Sequence, residues 1–271
     1  MPRPGGAARE GWAVAGGTRV AGRGVIEGAF QLLEELSRLG DAGLTELADA
    51  AGLPKSTAHR LLDQLVAAEA VERHGGRYRM GTRLFRMGQA WAPGPSLRAA
   101  GRHPLGQLAE AVPGASVLLS VPEGGRTVVV AGYRGEPDEV FPIQPGALIW
   151  HGNTGDRLFA APAEMDRTAE RVRPPGVPAS VWRRQVARAH DEGVAYDFRP
   201  PVGPAVSCVS APLRSPAGRV VGAVTVVLLD NDRVRPYAPA VQRAARMTTA
   251  NLTRLRTTDT SLASWLDEAP R

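Results

Sequence analysis

Cysteine is almost missing from this 271-residue chain: Cys208 stands alone, so no intrachain disulfide can form and nothing points to an oxidising compartment. Lysine is equally scarce, with Lys55 the only one and every other basic side chain an arginine. Aromatic residues make up 5% of the sequence, and no apolar run reaches the roughly 20 residues that a membrane span requires. Glycine and arginine interrupt the apolar stretch around Trp12 to Ala15, so no signal peptide is read there, and a cytoplasmic protein is expected. Also absent are G-x-S-x-G, H-E-x-x-H, a dinucleotide fingerprint and a P-loop, which leaves no sequence support for an enzyme, a cofactor or a metal site.

What remains is the composition of a soluble globular protein, 43% hydrophobic and 22% charged, long enough for two domains. The formal charge is +6. Between Pro54 and Arg86 seven basic side chains face three acidic ones, so the excess is concentrated where contact with a polyanion would need it.

That basic segment lies in the stretch from Leu44 to Met80. Pro54 suits a first helical turn, and after it Ala58, Leu61, Leu62, Leu65 and Val66 recur at helical spacing. Their stripe must be buried, which leaves Lys55, Ser56, His59 and Arg60 outside. Upstream, Thr45 is read as an N-cap and Leu47, Ala48 and Ala51 as the buried side of a shorter helix that Gly52 stops. Val71 to Arg73 and Arg77 to Met80 flank His74-Gly75-Gly76 as a hairpin. Two short helices, a glycine turn and a hairpin make a winged helix-turn-helix. A third helix is expected at Val25–Leu39, with Ile26, Ala29, Phe30, Leu33 and Leu36 as its core stripe.

The run from Gly43 to Leu84, with Gly52-Leu53-Pro54-Lys55-Ser56-Thr57 opening the second helix and His59-Arg60-Leu61-Leu62 following, resembles the winged helix-turn-helix of the IclR family of bacterial transcription regulators. The resemblance implies a sequence-specific regulator bound to double-stranded DNA at a pseudo-palindromic operator, as a homodimer or homotetramer, and modulated by a small-molecule effector. The DNA-binding residues are then Thr45, Lys55, Ser56, Thr57, His59 and Arg60, with Arg73, Arg77 and Arg79 on the wing. Arg60 is placed to reach guanine, and the wing arginines to reach phosphates.

The expected organisation is a disordered tail (1–22), a mainly α winged helix-turn-helix domain (23–81), a linker helix (82–95) broken by Pro93-Gly94-Pro95, an α+β domain with an antiparallel sheet (96–256), and a C-terminal tail (257–271). In the α+β part, strands are read at 116–121, 126–133, 139–143, 206–213 and 219–229. Helices are read at 153–161 and 180–192, the latter capped by Ser180, with a long final helix carrying Val241 to Leu255. This order resembles the GAF-like effector domain of the same family, and Cys208-Val209-Ser210-Ala211-Pro212 resembles its C-x-A-x-P strand pair. Gly146, His151 and Gly155 follow part of the family's loop-to-helix motif, but Asp156 stands where that motif has lysine. By this resemblance the effector pocket involves His151, Gly155, Asp197, Cys208 and Thr225. Two other readings are a protein-interaction module with a vestigial winged helix and a hydrolase using Cys208, His151 and Asp197.

Overall fold

The computed structural model describes residues 24–139, 144–149, 151–160, 172–199, 206–229 and 234–267, without the side chains of Glu139, Phe198 and Arg199. The chain divides between Trp91 and Ala92 into two compact units.

In the first unit, α1 (Val25–Leu39), α2 (Leu44–Ala50) and α3 (Lys55–Ala67) pack around Leu32, Leu36, Leu47, Ala58 and Leu62. Gly28 of α1 lies where a Cβ would come within 3.1 Å of Leu61 Cδ1, so the missing side chain lets α1 approach α3 closely. The wing is β2 (Val71–His74) and β3 (Arg77–Met80), joined through Gly75 and Gly76, both at positive φ as a tight hairpin needs. A three-residue strand, β1 (Asp41–Gly43), completes the sheet in the order β1-β3-β2; the sequence reading contains no strand there.

Several expectations need correcting. Thr45 is not an N-cap: α2 begins at Leu44, its cap is Gly43, and the Glu46 side chain reaches back to accept from Gly43 N at 3.4 Å. Pro54 is the cap of α3 rather than its first residue. The stripe of α1 is rotated, because its buried residues are Gly28, Leu32, Leu33 and Leu36, while Ile26 and Phe30 are 74% and 61% exposed. The helix therefore carries apolar side chains on two sides, and only one of them packs within the unit. Likewise α4 (Thr82–Gly88) buries no residue and leaves Phe85 and Met87 exposed.

The second unit is built on a six-stranded antiparallel sheet, in the order β6-β5-β4-β9-β8-β7. Its strands are β4 (Ser116–Glu123), β5 (Arg126–Tyr133), β6 (Leu148–Ile149), β7 (Ala195–Arg199), β8 (Val206–Arg214) and β9 (Val220–Leu228). Alternation along the strands sorts side chains onto two faces. Val117, Leu119, Val209, Val224 and Val226 join the main core with α5 (Gly94–Ala111) and α8 (Ala238–Leu255). Leu118, Cys208, Thr225 and Val227 point to the other face, towards α6 (Thr154–Phe159), with α7 (Ala179–Glu192) packed against α6.

Here too the structure departs from expectation. Pro93-Gly94-Pro95 does not separate a linker from a domain: α5 starts at Gly94, with proline in its first turn, where no N–H is needed. The cap of α7 is Pro178 and not Ser180, although Gly193 ends the helix at φ 63° as read. The expected strand at 139–143 lies almost wholly outside the described residues; Glu139 closes a short 3-10 turn. The segment taken as a C-terminal tail carries α9 (Thr260–Asp267), whose Leu262 and Leu266 are buried in the main core. Two leucines four residues apart are enough to dock one short helix.

Candidate functional site

Two surfaces hold the residues singled out by sequence, one in each unit. On the first, α3 buries Ala58, Leu61 and Leu62, and that packing turns Lys55, Ser56, His59 and Arg60 to solvent, with Thr57 half-buried. Thr45 is exposed on α2. Lys55 and Arg60 form no ion pair among the described residues, so both charges stand unneutralised. His59 differs, since its Nδ1 lies 3.1 Å from Asp63 one turn on.

The wing arginines are in a different state from Arg60. Arg77 pairs with Asp41 through a short contact and lies 3.5 Å from Glu46; hydrogen bonding to Asp41 raises its pKa further. Arg79 pairs with Glu72 at 2.8 Å, and Arg73 stacks over the ring of buried Tyr78 at 5.6 Å. All three remain exposed. The positive excess counted along the sequence is thus partly cancelled on the wing and undiminished on α3.

On the pocket face of the second unit is an open cavity with about 500 Å³ of empty space, open solvent at its mouth included. Asp197, Cys208 and Thr225 line it together. Register explains two of them: Asp197 on β7 lies opposite Cys208 on β8. Thr225 lies opposite Ser210 across β8 and β9. His151 and Gly155 do not line the cavity. Gly155 is buried within α6, where a Cβ would meet Asn153 Oδ1 at 2.9 Å, and His151 sits before α6 with Nδ1 buried and unpartnered. Among the described residues no carboxylate accepts from that nitrogen, and His151 does not join Cys208 and Asp197 in the cavity lining.

The sequence reading missed most of the wall. Leu118, Ile149, Val206 and Val227 give it an apolar body, and Ser120, Thr127, Asn153 and Thr154 add polar edges. Thr154 Oγ1 and Ser210 Oγ are 2.6 Å apart, and Ser210 Oγ lies 2.7 Å from Thr225 Oγ1, so three hydroxyls form one chain. Behind the wall, Asp156 accepts from Thr127 Oγ1 at 2.6 Å and from Gly152 N at 2.7 Å. Burial pushes the Asp156 carboxyl up, while those two bonds pull against the shift. A signal existed in the sequence: Ser120, Ser210 and Thr225 interrupt otherwise apolar strands, and hydroxyls in fully buried strands need partners.

The IclR helix-turn-helix domain model matches residues 25–75. No curated protein matches the sequence. Among solved structures, an IclR homolog from Microbacterium hydrocarbonoxydans complexed with 4-hydroxybenzoate is similar, with a TM-score of 0.69 and 20% identity over 85% of this chain and 100% of that one. The IclR of Thermotoga maritima gives 0.63 and 18% over 83% and 97% of the two chains. Pseudomonas aeruginosa HmgR gives 0.61 and 21%, again over 83% and 97%. At such identities these likenesses speak for the fold. The IclR family's helix-turn-helix is thus matched at residues 25–75, and the fold of solved IclR proteins is shared across most of the chain.

Proposed function

We propose that the protein is a cytoplasmic, non-enzymatic transcription regulator that binds double-stranded DNA and answers to a small-molecule effector. The observation that carries this reading is the outward face of α3, where Lys55, Ser56 and Arg60 stand exposed because the leucines behind them are buried. Arg60 reads a guanine edge, and Lys55 with Ser56 and Thr57 holds a phosphate at the helix start. Thr45, Arg73, Arg77 and Arg79 contact the backbone on either side, and His59 makes a second base contact.

The regulator works as a homodimer or homotetramer on a pseudo-palindromic operator, one winged helix in each half-site. Val25, Ile26, Phe30, Phe85 and Met87 support this, since so many exposed large apolar side chains on one small unit exceed what a monomer needs to show water. The effector site is the cavity lined by Asp197, Cys208 and Thr225, with His151 and Gly155 shaping the segment behind it. That a solved relative of the same fold was captured with 4-hydroxybenzoate supports a ligand of that size here.

The test is selection of genomic fragments by the purified protein, followed by titration of the selected operator. Arg60→Ala is expected to cost about 1–3 kcal/mol on that site and to relax the preference at one base pair. Unchanged binding by the variant would show that α3 is not the reading face.

A further inference from the structure

Resting on the assignment of the cavity as the effector site, we propose that it accepts an uncharged, ring-sized ligand and turns carboxylates away. The lining contains no basic side chain among the described residues; its one charged group is Asp197. The cation that pairs with Asp197, Arg157, is already committed. Its guanidinium donates to the carbonyl oxygens of Tyr196 and Gly152, lies 3.3 Å from Asp197 Oδ1, and packs over the Trp182 ring.

Two backbone donors beside the cavity are held within the protein. Where the chain turns into α6, Gly152 N donates to Asp156 Oδ2 and Asp156 N donates to Asn153 Oδ1. A ligand carboxylate would have to shed its water and approach Asp197, whose partner Arg157 is already held, with no basic side chain among the described lining residues to meet it, which is costly.

An uncharged ligand meets a different wall. Leu118, Ile149, Val206 and Val227 receive an apolar body. The chain Thr154–Ser210–Thr225 contains three O–H groups and two internal hydrogen bonds, so one O–H is left over for a partner outside the chain. Thr154 and Thr225, the two ends, both line the cavity. Reversing the direction of the chain lets Thr225 either donate or accept, which suits a hydroxyl, carbonyl or amide.

The experiment uses three probes of one shape on the full-length protein at neutral pH: 4-hydroxybenzamide, 4-hydroxybenzoate and 4-hydroxybenzylamine. Calorimetric titration gives affinity, and protection of Cys208, the single thiol and a lining residue, from iodoacetamide gives location. The amide is expected to bind, to shield Cys208, and to exceed the benzoate by about tenfold or more. Asp197→Asn leaves Arg157 uncompensated and should raise benzoate affinity about tenfold with little effect on the amide.

Benzoate binding as tightly as the amide to the wild type, with Cys208 shielded, overturns the charge selection and leaves the effector cavity standing. Tighter binding of the amine overturns it from the other side, by showing that the carboxylates attract. If no probe shields Cys208 at millimolar concentration, both the selection and the effector site fall.

Discussion

Helix α3 and the cavity use the same kinds of polar residue in opposite ways. On α3 the hydroxyls and cations stand in water, and Lys55 and Arg60 keep their full charge for a partner. In the cavity wall Thr127, Thr154, Ser210 and Thr225 are bonded to one another or to Asp156, and the Arg157 guanidinium is spent on Asp197 and two carbonyls. Open charges are what the proposed contact with a polyanion requires, because counterion release rewards each phosphate neutralised. A small enclosed site must first satisfy its own groups, because an unpaired buried polar atom is costly.

The sharpest break of this contrast comes from the packing that creates the reading face. Leu62→Ala removes a fully buried side chain behind α3 and should lower unfolding stability by about 2–5 kcal/mol in a denaturant titration, taking DNA binding with it. In the cavity, Ser210→Ala cuts the hydroxyl chain at its middle and leaves both threonines short of a partner. A loss of about 1–3 kcal/mol, read by the same titration, is expected.

Charge substitutions should be gentler and should separate helix from wing. Lys55→Ala is expected to weaken all duplexes alike and to reduce the salt slope by about 1. Arg77→Ala should do less, because Asp41 and Glu46 already offset that charge before DNA arrives. Equal effects of the two changes in a salt titration would show that the wing pairs open at no cost.

The smallest effect is one of pH. His190 Nε2 donates to Ala160 O at 2.8 Å, and burial lowers the pKa of the ring from its usual 6.5. A depressed folded value means that its contribution is present above 6.5 and is lost as pH falls through the folded value, since the unfolded ring takes up its proton first. His190→Gln should flatten the decline in melting temperature on mild acidification.

How much could be read in advance differs between the two units for the same physical reason. The bounds of α1, the Gly52 turn, the Gly75-Gly76 hairpin and the strand pair around Ser215 to Gly218 follow from spacing and backbone preference over a few residues. Helix caps were misplaced at Thr45 and Ser180, because a side chain able to cap does so only if the chain enters from the right direction. Strand β1 exists because β3 offers it a free edge, and α9 because the core has room for two more leucines. Neither cause is local.

From the sequence alone came the amphipathic reading helix, its exposed basic side and the two-part organisation, because periodicity of apolar residues fixes which face must be hidden. The tertiary structure alone decided the rest: which side of α1 is buried, that Arg77 and Arg79 meet their own carboxylates, and that residues from Leu118 to Val227 converge on one cavity. Charge compensation and enclosure are properties of groups brought together across the sheet, and spacing along a chain does not encode them.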